Sequence, residues 1–155
     1  MPITVTIRKN VISKLRGDIV DRTETAVRNQ AHFMRDYGQS IAPVRTGAFR
    51  ASLYVNGPND ESDYPAAAGA AAQKNPKARI IPELQAASFD LGAKRLRNEI
   101  GRFSLPQAIV APAVEYGLYL EEGTVHMAPR PTLRPAALAT EQRFKSDMSK
   151  VADGY

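Results

Sequence analysis

The chain has 155 residues, with 21 Lys and Arg against 16 Asp and Glu, for a net charge of +5. That length suits one domain, and an apolar content of 43% is enough to bury a core. The absence of cysteine excludes disulfides, thiolate metal sites and a cysteine nucleophile. In chain order, Ile3, Val5 and Ile7 alternate with Thr4 and Thr6, the period of a short strand with one buried face. Arg8 to Arg16 adds a helical turn or two, with Val11, Ile12 and Leu15 at helical spacing, before Gly17 interrupts. Asp18 to Ala42 then predicts a long helix, about 36 Å from end to end. Its apolar stripe is Val20, Val27, Ala31, Met34 and Ile41. Pro43 disfavours helical geometry at Ala42 and ends it.

A turn at Arg45-Thr46-Gly47 leads into Ala51 to Asn56, read as a strand with Leu53 and Val55 on one parity. Residues 64–82 are alanine-rich and bounded by prolines, which predicts a flexible or partner-ordered loop with too little side chain to build core. Glu83 to Phe103 reads as a helix carrying Leu84, Ala87, Leu91 and Leu96, weakened by Gly92. Gln107 to Val110 is a strand candidate, and Ala113 to Glu122 a short helix closed by Gly123. Prolines 129 and 131 hold Met127 to Pro131 extended. Thr132 to Val151 is the last helix, with Pro135 tolerated in its first turn. Its predicted stripe is Ala137, Phe144, Met148 and Val151, which leaves Arg143 on a solvated side. The longest near-apolar run, Ala66 to Ala72, is far short of the ~20 residues a membrane span needs. The opening MPITVTIRKN lacks the apolar stretch of a secretory signal, so an intracellular protein is expected.

Charge is unevenly placed. It is +5 over residues 1–50, −3 over 51–73, +4 over 74–102 and −1 over 103–155. The basic stretch 74–102 permits phosphate contact without demanding it, and from charge alone a mixed solvated surface is the preferred reading. Phosphate-cradle, zincin and nucleophile-elbow signatures are all missing. His126 follows Glu121 and Glu122, but Gly123 breaks the helix that would align them, so a metal site there is disfavoured. His32 sits inside the long helix and reads as a surface or boundary residue. Neither a catalytic constellation nor a cofactor or metal site emerges. Arg130 and Arg134 each stand beside a proline, which suits an aimed guanidinium at an interface, with Glu121 as acidic partner. Two solvated arginines are the plainer alternative. Tyr119 lies with Tyr116 and Leu120 on one side of the short helix.

Three stretches, in order, resemble the tailed-phage tail-component family. Ala42-Pro43-Val44-Arg45-Thr46-Gly47-Ala48-Phe49-Arg50 is similar to its "aPvdTGaLr" segment. Tyr116-Gly117-Leu118-Tyr119-Leu120-Glu121-Glu122-Gly123-Thr124 resembles "YaxyvEfGT". Met127-Ala128-Pro129-Arg130-Pro131-Thr132-Leu133-Arg134-Pro135-Ala136 resembles "mxaRPFLRPAl". The resemblance implies an α+β fold, a long N-terminal helix packed on a small antiparallel sheet, with a C-terminal helix, and it leaves residues 57–105 as an insertion that carries the loop 64–82. It also implies a non-enzymatic virion protein of the phage neck, a head–tail joining or tail-completion ring of six or twelve copies. Its implied partners are itself, a head-closure or connector protein, and a tail terminator or tail tube. It would reside in the host cytoplasm during assembly and in the virion afterwards. Arg45, Glu122 and Thr132 depart from an acid, an aromatic and a Phe, so the contacts made there should differ. Subunit-interface candidates are Arg130, Arg134, Glu121 and Tyr119. Lys74, Lys77 and Arg79 are candidates to face DNA or a partner ring. The alternative is a basic nucleic-acid-binding module using residues 74–102, although Phe89 and Phe103 are its only aromatics.

Overall fold

The computed structural model describes residues 9–57, 62–83 and 106–153. Their fold is α+β. Helix α1 (Lys9–Ile41) leads to a single helical turn, α2 (Ala48–Ser52), and strand β1 (Leu53–Asn56). Helix α3 (Tyr64–Lys74), strand β2 (Ile109–Pro112), short helix α4 (Gly117–Glu122) and helix α5 (Leu133–Asp153) follow. The predicted strand at residues 3–7 and the predicted helix at 83–103 fall outside the described residues, apart from Glu83.

The two strands pair antiparallel, in the register Leu53↔Pro112, Tyr54↔Ala111, Val55↔Val110 and Asn56↔Ile109. Beyond the ladder, Ala113 N–H donates to the Ser52 carbonyl, and residues 79–81 run beside 113–115 through the Ile80–Val114 bridge. Leu53, Tyr54 and Val55 are all buried, so β1 is covered on both faces. Leu53 joins Ala42, Phe49, Ala71 and Val114 in one apolar cluster, while Tyr54 joins Ala67, Ala111 and Ala113 in another. The Tyr54 ring meets Tyr64 edge-on, with centroids 5.2 Å apart.

Helices α1 and α5 pack side by side and antiparallel. Thr132 and Ala136 approach Gly38, Arg143 lies 4.4 Å from the Phe33 ring centroid, and Gln30 donates to Asp147. Closeness is the reason for small residues here: a Cβ at position 38 would sit 3.3 Å from Leu53 Cδ1 and 3.7 Å from Thr132 Cγ2. A second tie comes from Arg35, which bonds Asp63 at 2.5 Å, while the other Asp63 oxygen accepts Val55 N–H at 2.6 Å. One carboxylate thus holds β1, α1 and the start of α3 together. Burial alone lowers the Arg35 pKa, but hydrogen bonds and charge from Asp36 and Asp63 outweigh it and leave it raised.

Several expectations are corrected. Gly17 does not interrupt α1, which runs unbroken through 33 residues, about 50 Å. Gly in a helix costs roughly 1 kcal/mol, which its neighbours absorb. The buried stripe of α1 is Ala26, Gln30, Ala31 and Gly38, continued just past its end by Ala42, whereas Val20 and Ile41 are exposed. Residues 51–52 belong to α2 rather than to the strand, and Pro112 ends β2 rather than following it. The short helix starts at Gly117, not at Ala113. In α5 the buried positions are Ala136 and Thr140; Ala137 and Phe144 are exposed, and Arg143 covers Phe33 instead of facing only solvent.

The largest correction concerns residues 64–82. Tyr64–Lys74 is a helix with Pro at its start, and Ala67 and Ala71 are buried in the two clusters. Small side chains do build core here, because they let a helix lie close against β1 and α2. Helix formation at this segment sets two substitutions against each other. Gly69 has nothing within 4 Å of where a Cβ would stand, so Gly69→Ala should stabilise by about 0.5–1 kcal/mol. Ala71 is fully buried, so Ala71→Leu should destabilise by about 1–3 kcal/mol. Urea unfolding of both variants checks this; a loop would leave both unchanged.

Candidate interaction site

α4 is one and a half turns long and ends at Gly123, whose φ of 78° lies in the left-handed region. A side chain there would be strained and would also meet the Met127 carbonyl oxygen at 2.8 Å. The chain therefore turns back sharply. Thr124 and Met127 bridge each other, leaving Val125 and His126 at the tip, and Arg130 N–H donates to the Leu120 carbonyl at 2.7 Å. This strap delivers residues 130–133 to the Glu121 side chain.

Glu121 is the centre of the site. Its Oε1 accepts the backbone N–H groups of Thr132 and Leu133, each at 2.7 Å, and Oε2 lies 3.5 Å from the Arg134 nitrogen. These are the amides of the residue before α5 and of its first turn, which lack partners inside the helix. Helix α5 has no acid in its first turn, so a carboxylate from another element supplies both the cap and the charge that suits a helix N-terminus. Thr132 is fully buried at this point.

On its other side α4 meets the segment after α1. The Tyr116 and Phe49 rings lie 6.3 Å apart, and a Cβ on Gly117 would stand 2.5 Å from Pro112 and 3.3 Å from Phe49. Only a glycine fits that approach. Burial raises the Tyr116 phenol pKa, with polar contacts from the Phe49 backbone and Thr46 side chain pulling the other way. Residues from all three family-like segments (Phe49, Tyr116, Glu121 and Thr132) therefore meet around α4.

The other candidates are distributed differently. Arg130 and Arg134 are exposed, and among the described residues neither forms an ion pair with Glu121. Within the chain Glu121 thus caps α5 and pairs with neither arginine, because the extended strap presents it with amides before any guanidinium. Tyr119 is 50% exposed beside Leu118 at 58%, and Val125 stands out at 97%. Lys74 ends α3 and is exposed, as is Lys77, whose backbone N–H bonds to Asn75 Oδ1. Arg79 is paired with Glu115 at 3.1 Å. His126 is exposed, its N–H held by Thr124 Oγ1.

Sequence reasoning missed the Arg35–Asp63 tie and the Glu121 cap. The first had a signal, an Asp just ahead of Tyr64-Pro65 where a helix begins; the second links residues eleven positions apart and had none. No group of three or more His, Cys, Asp or Glu poised for a metal exists among the described residues. Two open grooves are formed by described residues. One, of about 480 Å³, runs between Asp21 and Asn29 of α1 and the end of α5 at Asp147, Lys150 and Val151. The other, of about 230 Å³, is lined by Arg28, His32, Ser62 and Asp63. No helix among the described residues is long and apolar enough to cross a membrane. Compared with family models, with curated proteins and with solved structures, the chain matches none.

The cap predicts a graded series in thermal or urea unfolding. Glu121→Ala should cost about 1–3 kcal/mol, since it strands amides bonded to a charged acceptor. Glu121→Gln, which keeps an acceptor oxygen but not the charge, should lose less. Arg134→Ala should stay within about 0.5 kcal/mol. An Arg134 effect as large as that of Glu121→Ala would restore the ion-pair reading.

Proposed function

We propose that the chain is a non-enzymatic structural protein of the tailed-phage neck, a ring that joins the head connector to the tail. The observation that carries this reading is the convergence of the three family-like segments, 42–50, 116–124 and 127–136, on one packed junction around α4. Residues of these segments serve there as a helix cap (Glu121), a ring contact (Phe49 with Tyr116) and close-packing positions (Gly117, Thr132). Such roles suit a scaffold whose activity is to hold neighbours in place. The same junction leaves Tyr119, Leu118 and Val125 turned outward, and a ring subunit needs such apolar surface.

In this reading the partners are other copies of the chain, a head-closure or connector protein, and a tail terminator or tail tube. The protein resides in the virion after assembly in the host cytoplasm. Lys74 and Lys77, exposed at the end of α3, are the bases placed to meet passing DNA without reading its sequence. The basic-module alternative uses the stretch 74–102, whose described bases are the same Lys74 and Lys77 together with Arg79, the last paired with Glu115.

Mass photometry of the purified protein, with image averaging of the necks of assembled particles, tests the proposal. A six- or twelve-fold ring is expected in solution or in the particle. A chain that is monomeric in solution and absent from the particle overturns the reading. Lys74→Glu with Lys77→Glu should leave the fold intact and lower infectious titre; an unchanged titre removes the DNA-facing role. Excising Ala66 to Lys77 is unsuited to that test, because Ala67 and Ala71 belong to the core.

A further inference from the structure

Helices α2 and α3 pack on each other, with Phe49 and Ala71 in one apolar cluster on which Ala78 also closes. The stretches that meet there, 42–52 and 64–78, carry Arg45, Arg50, Lys74 and Lys77 and no Asp or Glu, a net +4. All four bases are exposed. None forms an ion pair among the described residues. The backbone fixes where they emerge. Arg50 directly follows buried Phe49, and Arg45 begins the turn that ends at Gly47, whose φ is 78°. Lys74 lies three residues after Ala71, on the side of α3 that meets α2. Lys77 sits in a turn tied by Asn75 N–H to the Ala71 carbonyl and by Ala78 N–H to the Asn75 carbonyl.

The acids that border these stretches are already engaged. Asp63, just before α3, holds Arg35 and the Val55 amide, and Glu115 pairs with Arg79. The four cations are thus left for a partner outside the chain. Val44 is the one large apolar side chain exposed on these two stretches, so they lack the apolar centre of a protein–protein contact. Phe49 is buried and Tyr64 is half-buried edge-on to Tyr54, so no open ring is offered for stacking an unpaired base. Cations without an apolar centre or stacking rings suit the phosphate backbone of a duplex.

We infer that Arg45 and Arg50 join Lys74 and Lys77 in one phosphate-binding surface, which takes duplex DNA by its backbone without reading sequence. This rests on the DNA-facing role given above to Lys74 and Lys77, and it extends that role onto α2. The two arginines add what lysine lacks, a planar fork that can donate two bonds to one phosphate. They also stand on firm ground, since Phe49 between them packs against the Tyr116 ring.

Fluorescence anisotropy of the purified full chain with a short duplex of random sequence, titrated at several salt concentrations, tests the surface. Each phosphate contact contributes about −0.9 to the slope of log K against log salt. Arg45→Gln with Arg50→Gln removes two of the four contacts and should halve that slope, as should Lys74→Gln with Lys77→Gln. Arg45→Lys with Arg50→Lys keeps both charges and should keep the slope. Lys14→Ala, far along α1, should leave it unchanged. All these side chains are exposed, so the variants should unfold at the wild-type midpoint. A wild-type slope in the Arg45→Gln, Arg50→Gln variant overturns the inference; if the Lys74→Gln, Lys77→Gln variant still lowers it, the DNA-facing role stands on α3 alone. Tighter binding to a single strand of the same length, or to polyglutamate of matching charge, overturns the assignment to duplex DNA. A chain with no salt-dependent DNA binding overturns both the inference and the role it rests on, and leaves the ring to be judged by particle averaging.

Discussion

One carboxylate governs how the C-terminal half is arranged. Glu121 accepts the Thr132 and Leu133 amides at 2.7 Å, so the start of α5 is fixed to the end of α4. An uncapped helix start buried at this depth would leave donors without partners, which costs about 1–3 kcal/mol per group. Thr132 is fully buried, so water is a poor substitute. With its origin fixed, α5 can run only along α1, where Gly38 leaves room for Thr132 and Ala136. The later contacts, Arg143 over Phe33 and Gln30 with Asp147, follow from that line.

The core around this junction is made chiefly of small residues. Ala42, Ala48, Ala67, Ala71, Ala111, Ala113 and Ala136 are buried, and Phe49, Leu53, Tyr54, Val55 and Val114 are the large apolar side chains among them. Small residues bring backbones close, and close backbones must satisfy their polar groups. Asp63 does so for Val55 at the strand, as Glu121 does for α5. Both acids thus do work that an apolar side chain of equal size would not. A thin core also covers little of a helix about 50 Å long, which is why Ile19, Val20, Tyr37 and Ile41 reach solvent.

The parts of the fold legible in the sequence are those set by local chemistry. Pro43 ends α1, Gly123 ends α4, and Pro135 falls in the first turn of α5. Apolar periodicity found both long helices but misjudged their faces. It weighted Val20, Ile41 and Phe144, whereas burial went to Gly38, Gln30 and Thr140, selected by closeness rather than by hydropathy. The alanine-rich segment was misread for the same reason, since composition does not reveal that β1 offers a surface close enough for Ala67 and Ala71. At the site, Glu121 stood out in the sequence but its partner did not. The extended strap places backbone amides nearest the carboxylate, and no side-chain pattern records that.

The strap also explains why α4 is exposed on one side only. Its inner side is held by Gly117 against Pro112 and Phe49, and by Leu120 accepting from Arg130. A helix of six residues has too few turns to bury a second side. Leu118 and Tyr119 must then face outward, and the tight turn that Gly123 permits pushes Val125 further out still. Exposed apolar side chains on so tightly anchored a unit lose little conformational freedom on association, since the backbone beneath them is already fixed. The capping that orders α5 therefore also pre-organises the surface beside it, and a weakened cap would loosen both together.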